Sequence, residues 1–435
     1  MKKQILFLLV YLGIAASVFA EQIDFPVVDM PFNRESAGAW PSMNQSLLIS
    51  SDFYQLLHLS IDNHLESKGA SQVARRLTIV GFDILSFYLP LSNSWMHEEW
   101  HRAVMTHRQV GSFNDVYNMK IGGDAIAVSH VTDEDLIRLK RDHPADLVRL
   151  EAAGIESQTE QNLYFDKQSF FYDSEAWNQA VMISNAIGNW SYLNACNSSS
   201  STERTRRFNE EDGGNVERRD FTGLDCLGWA YDLFRPDEPY AARGAHPSGV
   251  GINRYRTLED LTSTERNFLR KQEYLTVLNF ADPFLLRKDA FPGVDGDGVP
   301  FAWNVKLQHF MTSFGYDIDL VLFYRQLEKK FLLKWHHYFN ETHYFPGVSF
   351  EILEQDLFAR MKVSSTFSLW QQPQNQRYDD SQGRWGGLWK EKISYMLDQE
   401  WEPYLYLQAK DQGWVAGEVA LDPAISGGLG LIKIF

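Results

Sequence analysis

Beyond about residue 300 the sequence alternates with a period of two, and this limits the fold more than any other feature of the chain. Trp303, Val305, Leu307, His309 and Met311 take turns with Asn304, Lys306 and Gln308. Leu357, Ala359, Met361, Val363, Ser365, Phe367 and Leu369 take turns with Arg360, Lys362, Ser364, Thr366 and Ser368. Trp401, Pro403, Leu405, Leu407 and Ala409 do the same with Glu402, Tyr404, Tyr406 and Gln408. Successive side chains of a strand point to opposite faces, so this pattern predicts strands with two unlike faces. Further runs near 317–326, 330–340, 344–353, 385–397, 413–422 and 426–435 bring the expected strands to nine. Short turns such as 410–413 separate several of them, as in an antiparallel sheet.

Ahead of that region the period is close to 3.6. Apolar residues lie three and four apart over 47–65, and Thr132-Asp133-Glu134-Asp135 reads as a helix start. Pro144 opens a short helix expected to end at Gly154, a further helix is expected over 174–187, and Thr262-Ser263-Thr264-Glu265 resembles a capping box. The stretch 77–91 is strongly apolar, as expected ahead of a packed helix that carries the motif described below. At the junction, 293–298 (Gly-Val-Asp-Gly-Asp-Gly) predicts a loop, because it lacks the alternating oxygen ligands of a full calcium loop. The fold class is therefore α+β. An extended segment covers 21–45, a mainly helical part 46–292, and antiparallel strands 300–435.

The runs are about ten residues long, the length of a tilted strand across a membrane, and the chain stops at an aromatic, Phe435. In this pattern the C-terminal region resembles bacterial outer-membrane β-barrel proteins. The resemblance implies a barrel of about 8–10 strands, contact with outer-membrane lipid, and recognition of the terminal Phe435 by the barrel-assembly machinery. Such barrels have an even number of strands. Either one of the nine runs is not a strand, or an N-terminal strand joins them. Aromatics make up 14% of the chain, and rings such as Trp385, Trp389, Trp401, Tyr404, Tyr406 and Trp414 are expected at the lipid interfaces. The same location explains Trp335, His336, His337 and Tyr338 without a metal. A soluble antiparallel sheet is the alternative.

Export agrees with that placement. Lys2 and Lys3 precede an apolar run, 5–18, and Val18-Phe19-Ala20 suits a signal peptidase, so residues 1–20 read as a signal peptide and the mature chain starts near Glu21. Without it 39 basic residues face 57 acidic ones, a net charge of −18 that excludes nucleic acid as a natural partner. The most apolar later stretch, 77–96, carries Asp83 and Pro90, which disfavours a helical membrane protein. In an exported chain the two cysteines, Cys196 and Cys226, are expected to form one disulfide.

One motif points to chemistry: His97-Glu98-Glu99-Trp100-His101, or HExxH. On a helix, residues four apart share a face, so His97 and His101 can meet one zinc ion while Glu98 stands beside it to take a proton from water. The motif resembles that of the zincin metallopeptidases. The resemblance implies His97 and His101 as zinc ligands, Glu98 as general base, and a protein or peptide substrate. A third ligand is needed. His107 has metzincin spacing, but Val104 replaces the turn glycine, and a helix running through it carries His107 about 9 Å past His101. Glu156, beyond the expected break at Gly154, is the first choice, with His130, Glu134 and Glu151 behind it. The leading expectation is a zinc-dependent peptidase anchored in the bacterial outer membrane. The alternatives are a non-enzymatic barrel in which the helical part plugs, gates or binds, and a soluble periplasmic hydrolase.

Overall fold

The two periods segregate as the sequence predicts. In the computed structural model, which describes residues 22–31, 41–119, 127–341, 343–358 and 360–434, helices precede a single large antiparallel sheet. The expected signal peptide and Phe435 lie outside the described residues, as does Ala359. The helices are α1 (Met43–Ser67), α2 (Gln72–Ser86), α3 (Asn93–His107), α4 (Asp133–Asp142), α5 (Pro144–Phe171), α6 (Gln179–Asn197), α7 (Ser200–Asp212), α8 (Asp225–Leu233) and α9 (Ser263–Thr276). Local chemistry starts several of them. The Ser42, Ser92, Thr132 and Thr262 hydroxyls each accept from a backbone N–H of the first turn. At α9, Glu265 completes the predicted capping box by accepting from the Thr262 N–H.

The sheet contains β1 (Gln22–Pro31), β4 (Phe291–Val294), β5 (Pro300–Met311), β6 (Tyr316–Gln326), β7 (Lys329–Phe339), β8 (Tyr344–Phe358), β9 (Met361–Pro373), β10 (Gly383–Tyr395), β11 (Trp401–Lys410) and β12 (Ala424–Ile434). Its order, β1-β12-β11-β10-β9-β8-β7-β6-β5-β4, is a meander onto whose far end the N-terminal strand is added. A separate two-stranded ribbon joins β2 (Phe113–Asn114) to β3 (Val128–Ser129).

Several expectations change: the helix expected over 174–187 runs from Gln179 to Asn197, and Tyr404, Tyr406 and Trp414, expected at the lipid interfaces, are buried. Residues 413–422 form no strand. They are a loop that buries Trp414 against Phe310 and sends the Gly417 N–H to Glu156. Residues 291–294, which straddle the end of the expected helical part and the start of the expected junction at 293, pair as β4 with β5. The turn after them is tied by Asp295, whose Oδ1 accepts from the Asp297 and Val299 N–H groups. Finally, the helix from Pro144 does not stop at Gly154 but runs on to Phe171.

Helix α5 is what the sheet packs on. Its Lys167 pairs with Glu351 on β8, and its Asp166 with Lys306 on β5. Phe165, Phe170 and Phe171 share a core with Val321, Phe323 and Leu332. On this face Asn304, Lys306, Gln308, Asp317, Asp319 and Glu402 are buried. On the opposite face Trp335, Phe367, Leu369, Trp389, Leu405 and Leu407 are exposed. The covered face thus buries polar side chains beside its apolar core, and the open face presents apolar ones.

Candidate metal centre

The two histidines of the motif lie on one face of α3, whose N-cap Ser92 fixes the start of the helix five residues before His97. The two imidazoles share that face with ring centroids 5.0 Å apart. A carboxylate from α8 meets them: Asp225 Oδ2 lies 3.3 Å from His97 Nε2 and 3.4 Å from His101 Nε2. Asp225 opens α8, and its backbone N–H donates to the Tyr192 hydroxyl of α6 at 2.9 Å. The disulfide between Cys196 at the end of α6 and Cys226, the next residue after Asp225, fastens the two helices together. The predicted bridge thus stands one residue from the candidate third ligand.

The polarity of the site favours a cation. His101 Nδ1 is 2.6 Å from the Leu150 carbonyl, which can only accept, so the proton on that ring sits on Nδ1. That leaves the Nε2 lone pair aimed at Asp225, and Nε2 is buried without a hydrogen-bond partner among the described residues. Two acceptor groups facing one another need positive charge between them, supplied by a proton or a metal ion. Without a metal the proton takes this place. Burial alone would lower His101, but Asp225 and Glu98 raise it to about 9. Burial would raise Asp225, but His101 and His97 hold it well below the ordinary carboxylate range. The backbone carbonyl on Nδ1 is the kind of outer contact that orients a metal-binding histidine.

Glu98 is buried, and burial raises its pKa well above the ordinary value. Among the described residues no hydrogen bond engages its carboxylate. It lines a cavity of about 910 Å3 together with His97, Tyr192, Asp115, His130 and Asp220. Burial and the neighbouring Asp225 push Asp220 up to about 7.

The expected third ligand is not brought to this place. Because α5 continues through Gly154, Glu156 stands about 200° around the helix from Gly154, which is the residue that faces the histidines. Both Glu156 oxygens are engaged by Arg149, and one also accepts the Gly417 N–H at 2.8 Å. The other candidates lie elsewhere. Glu151 accepts from the Thr222 hydroxyl, Glu134 sits in the first turn of α4, and His130 sits on the cavity wall with Nδ1 against Ser129. α3 does run through Val104, which leaves His107 at its far end beside Arg108. Asp225 carried one weak signal in the sequence, an acidic residue just before Cys226 and an apolar run.

A second group, Asp317, Asp319 and His336, is spaced for an ion inside the sheet. Here both imidazole nitrogens have partners. Nδ1 contacts both aspartates and Nε2 the Ser349 hydroxyl at 2.7 Å, so the cluster reads as an ionic cross-link of β6, β7 and β8. Comparison with family models, with curated proteins and with solved structures found no match to this chain.

Proposed function

We propose that this protein is a zinc-dependent hydrolase of peptide bonds, held in the bacterial outer membrane by its sheet. One observation carries the catalytic half: His101 Nε2, which makes no hydrogen bond among the described residues, converges with His97 Nε2 on Asp225, and His97, Asp225 and Glu98 line one cavity. His97, His101 and Asp225 would supply the three protein ligands of an open catalytic site. A zinc ion held there would supply Lewis-acid polarisation of a carbonyl and a lowered pKa for water. Glu98 takes the proton from the attacking water and passes it to the departing amine. The cavity is large enough for a side chain and the backbone on either side of it.

The membrane half rests on the apolar open face of the sheet, whose strands of 10–15 residues from β5 to β12 are long enough to cross hydrocarbon when tilted. Closure into a barrel with these strands, a cleaved signal peptide and assembly through Phe435 belong to the same proposal. The ion pairs of α5 with β5 and β8 favour an anchored enzyme over an open channel. The test combines two measurements. Purified protein should carry one zinc per chain, and Glu98→Gln should keep the metal while peptide hydrolysis falls by about 10²–10⁴-fold. The protein should also fractionate with outer membranes and need detergent for release. A chain that never binds metal overturns the hydrolase, and recovery in the soluble periplasm overturns the anchor.

A further inference from the structure

Helix α2 is built inside out. An ordinary surface helix turns its apolar stripe inward and its charges to water. Here Val73, Leu77, Ile84 and Leu85 are each about two-thirds exposed, and the only exposed polar residues of the helix are Gln72 and Thr78. The charged residues are turned towards the protein. Arg75 pairs with Asp62 at 3.1 Å, Asp83 with His58 at 2.7 Å, and Arg76 lies over the Trp177 ring. The apolar stretch 77–91, read as the context of a packed motif helix, thus turns part of its apolar surface outward on α2.

The position of α2 explains this polarity. β1 and β4 are the two edges of the sheet, and each edge is met by the helical part. At one edge the Asp24 N–H of β1 donates to Asp52 of α1. At the other, where β5 outruns β4, the Leu307 N–H donates to the Ala281 carbonyl and the His309 N–H to Asn279. Between these edges α1 packs on α2, α2 on α6, and α6 on the turns at 277–280 and 283–286. The helices bridge the same gap that further strands would fill, and α2 shows outward the apolar, uncharged surface that the strands show.

We propose that α2 completes the lipid-facing wall of the protein, with its Val73–Leu85 face lying against bilayer hydrocarbon where a strand would otherwise stand. This rests on the membrane reading of the sheet. At 15 residues the helix covers about 22 Å, most of a hydrocarbon layer of about 30 Å, without a charge on that face.

Nitroxide labels at Leu77→Cys and Ile84→Cys, in the full-length disulfide-bonded protein in liposomes, test the proposal. Phe367→Cys on the sheet and Arg206→Cys on α7 are the references. Collisions with dissolved oxygen and with a water-soluble nickel chelate are measured. The expected result is loss of chelate collisions at both α2 sites to the level at Phe367, with oxygen collisions retained. If α2 sites collide with the chelate as freely as Arg206 while Phe367 is shielded, the helix faces water and the proposal fails, though the sheet remains in the membrane. If α2 sites are shielded from both reagents, protein covers them, and the proposal fails. If Phe367 itself is open to the chelate, the membrane reading fails and takes this inference with it.

Discussion

Gly154 on α5 lies against the His97 imidazole on α3, so close that a methyl group at Gly154 would overlap that ring and stand 2.5 Å from His101 Nε2. A residue expected to end a helix instead lets two helices approach where the ligands meet. Overpacking a site of this kind costs about 1–3 kcal/mol, and here the cheapest relief is to displace the imidazoles. Gly154→Ala should therefore weaken zinc binding by about tenfold or more, which is 1.4 kcal/mol. Competition with a chromophoric chelator measures it, and unchanged affinity would show that the histidines do not hold the metal from this position.

Asp225 and Glu156 make opposite predictions. Asp225→Asn should abolish stoichiometric zinc while leaving the fold intact. Glu156→Ala should keep the zinc but destabilise the protein by about 3–5 kcal/mol, because Arg149 stays buried with its partner gone. Metal analysis beside urea denaturation of each variant separates the two roles. Loss of zinc from Glu156→Ala with unchanged stability would restore Glu156 as the third ligand.

What the sequence revealed depended on how local the signal was. The strands of the meander were legible because each carries its own period. β1 was not, because Pro26 and the register shift between Pro26 and Val28 break its alternation. The loop 413–422 mimicked a strand because Trp414 and Leu421 are apolar for a different reason, burial against Phe310 and its neighbours. His97, Glu98 and His101 were legible from helical spacing alone. Asp225 was not, because it joins them only after α5, α6 and α8 have packed, and no spacing rule spans that distance. Glu156 misled because a glycine has two uses, stopping a helix and letting another approach, and a single sequence does not separate them.

The disulfide should act on the metal as well as on stability. Its sequence separation of 30 gives a chain-entropy contribution of about 3–4 kcal/mol. Because Cys226 follows Asp225 directly, releasing it also frees the start of α8. The double variant Cys196→Ser, Cys226→Ser should unfold at lower urea and bind zinc more weakly. A variant that loses stability but holds zinc with unchanged affinity would show that the Tyr192 hydroxyl and the packing of α8 suffice to place Asp225.

His107 should make the fold sensitive to mild acid. Burial, assisted by Arg108, lowers it to about 4, against about 6.5 for an unfolded chain. Between these values the unfolded chain binds a proton that the folded protein refuses, so stability falls as pH drops from about 6.5 to about 4 and changes no further below that on this account. The shift corresponds to about 3 kcal/mol when complete. His107→Gln cannot take the proton, so its loss of unfolding free energy between pH 7 and pH 4 should be smaller than that of the unmodified protein by about this amount. Urea denaturation at the two pH values checks it. An equal loss in both proteins would mean that His107 takes up its proton without opening the end of α3.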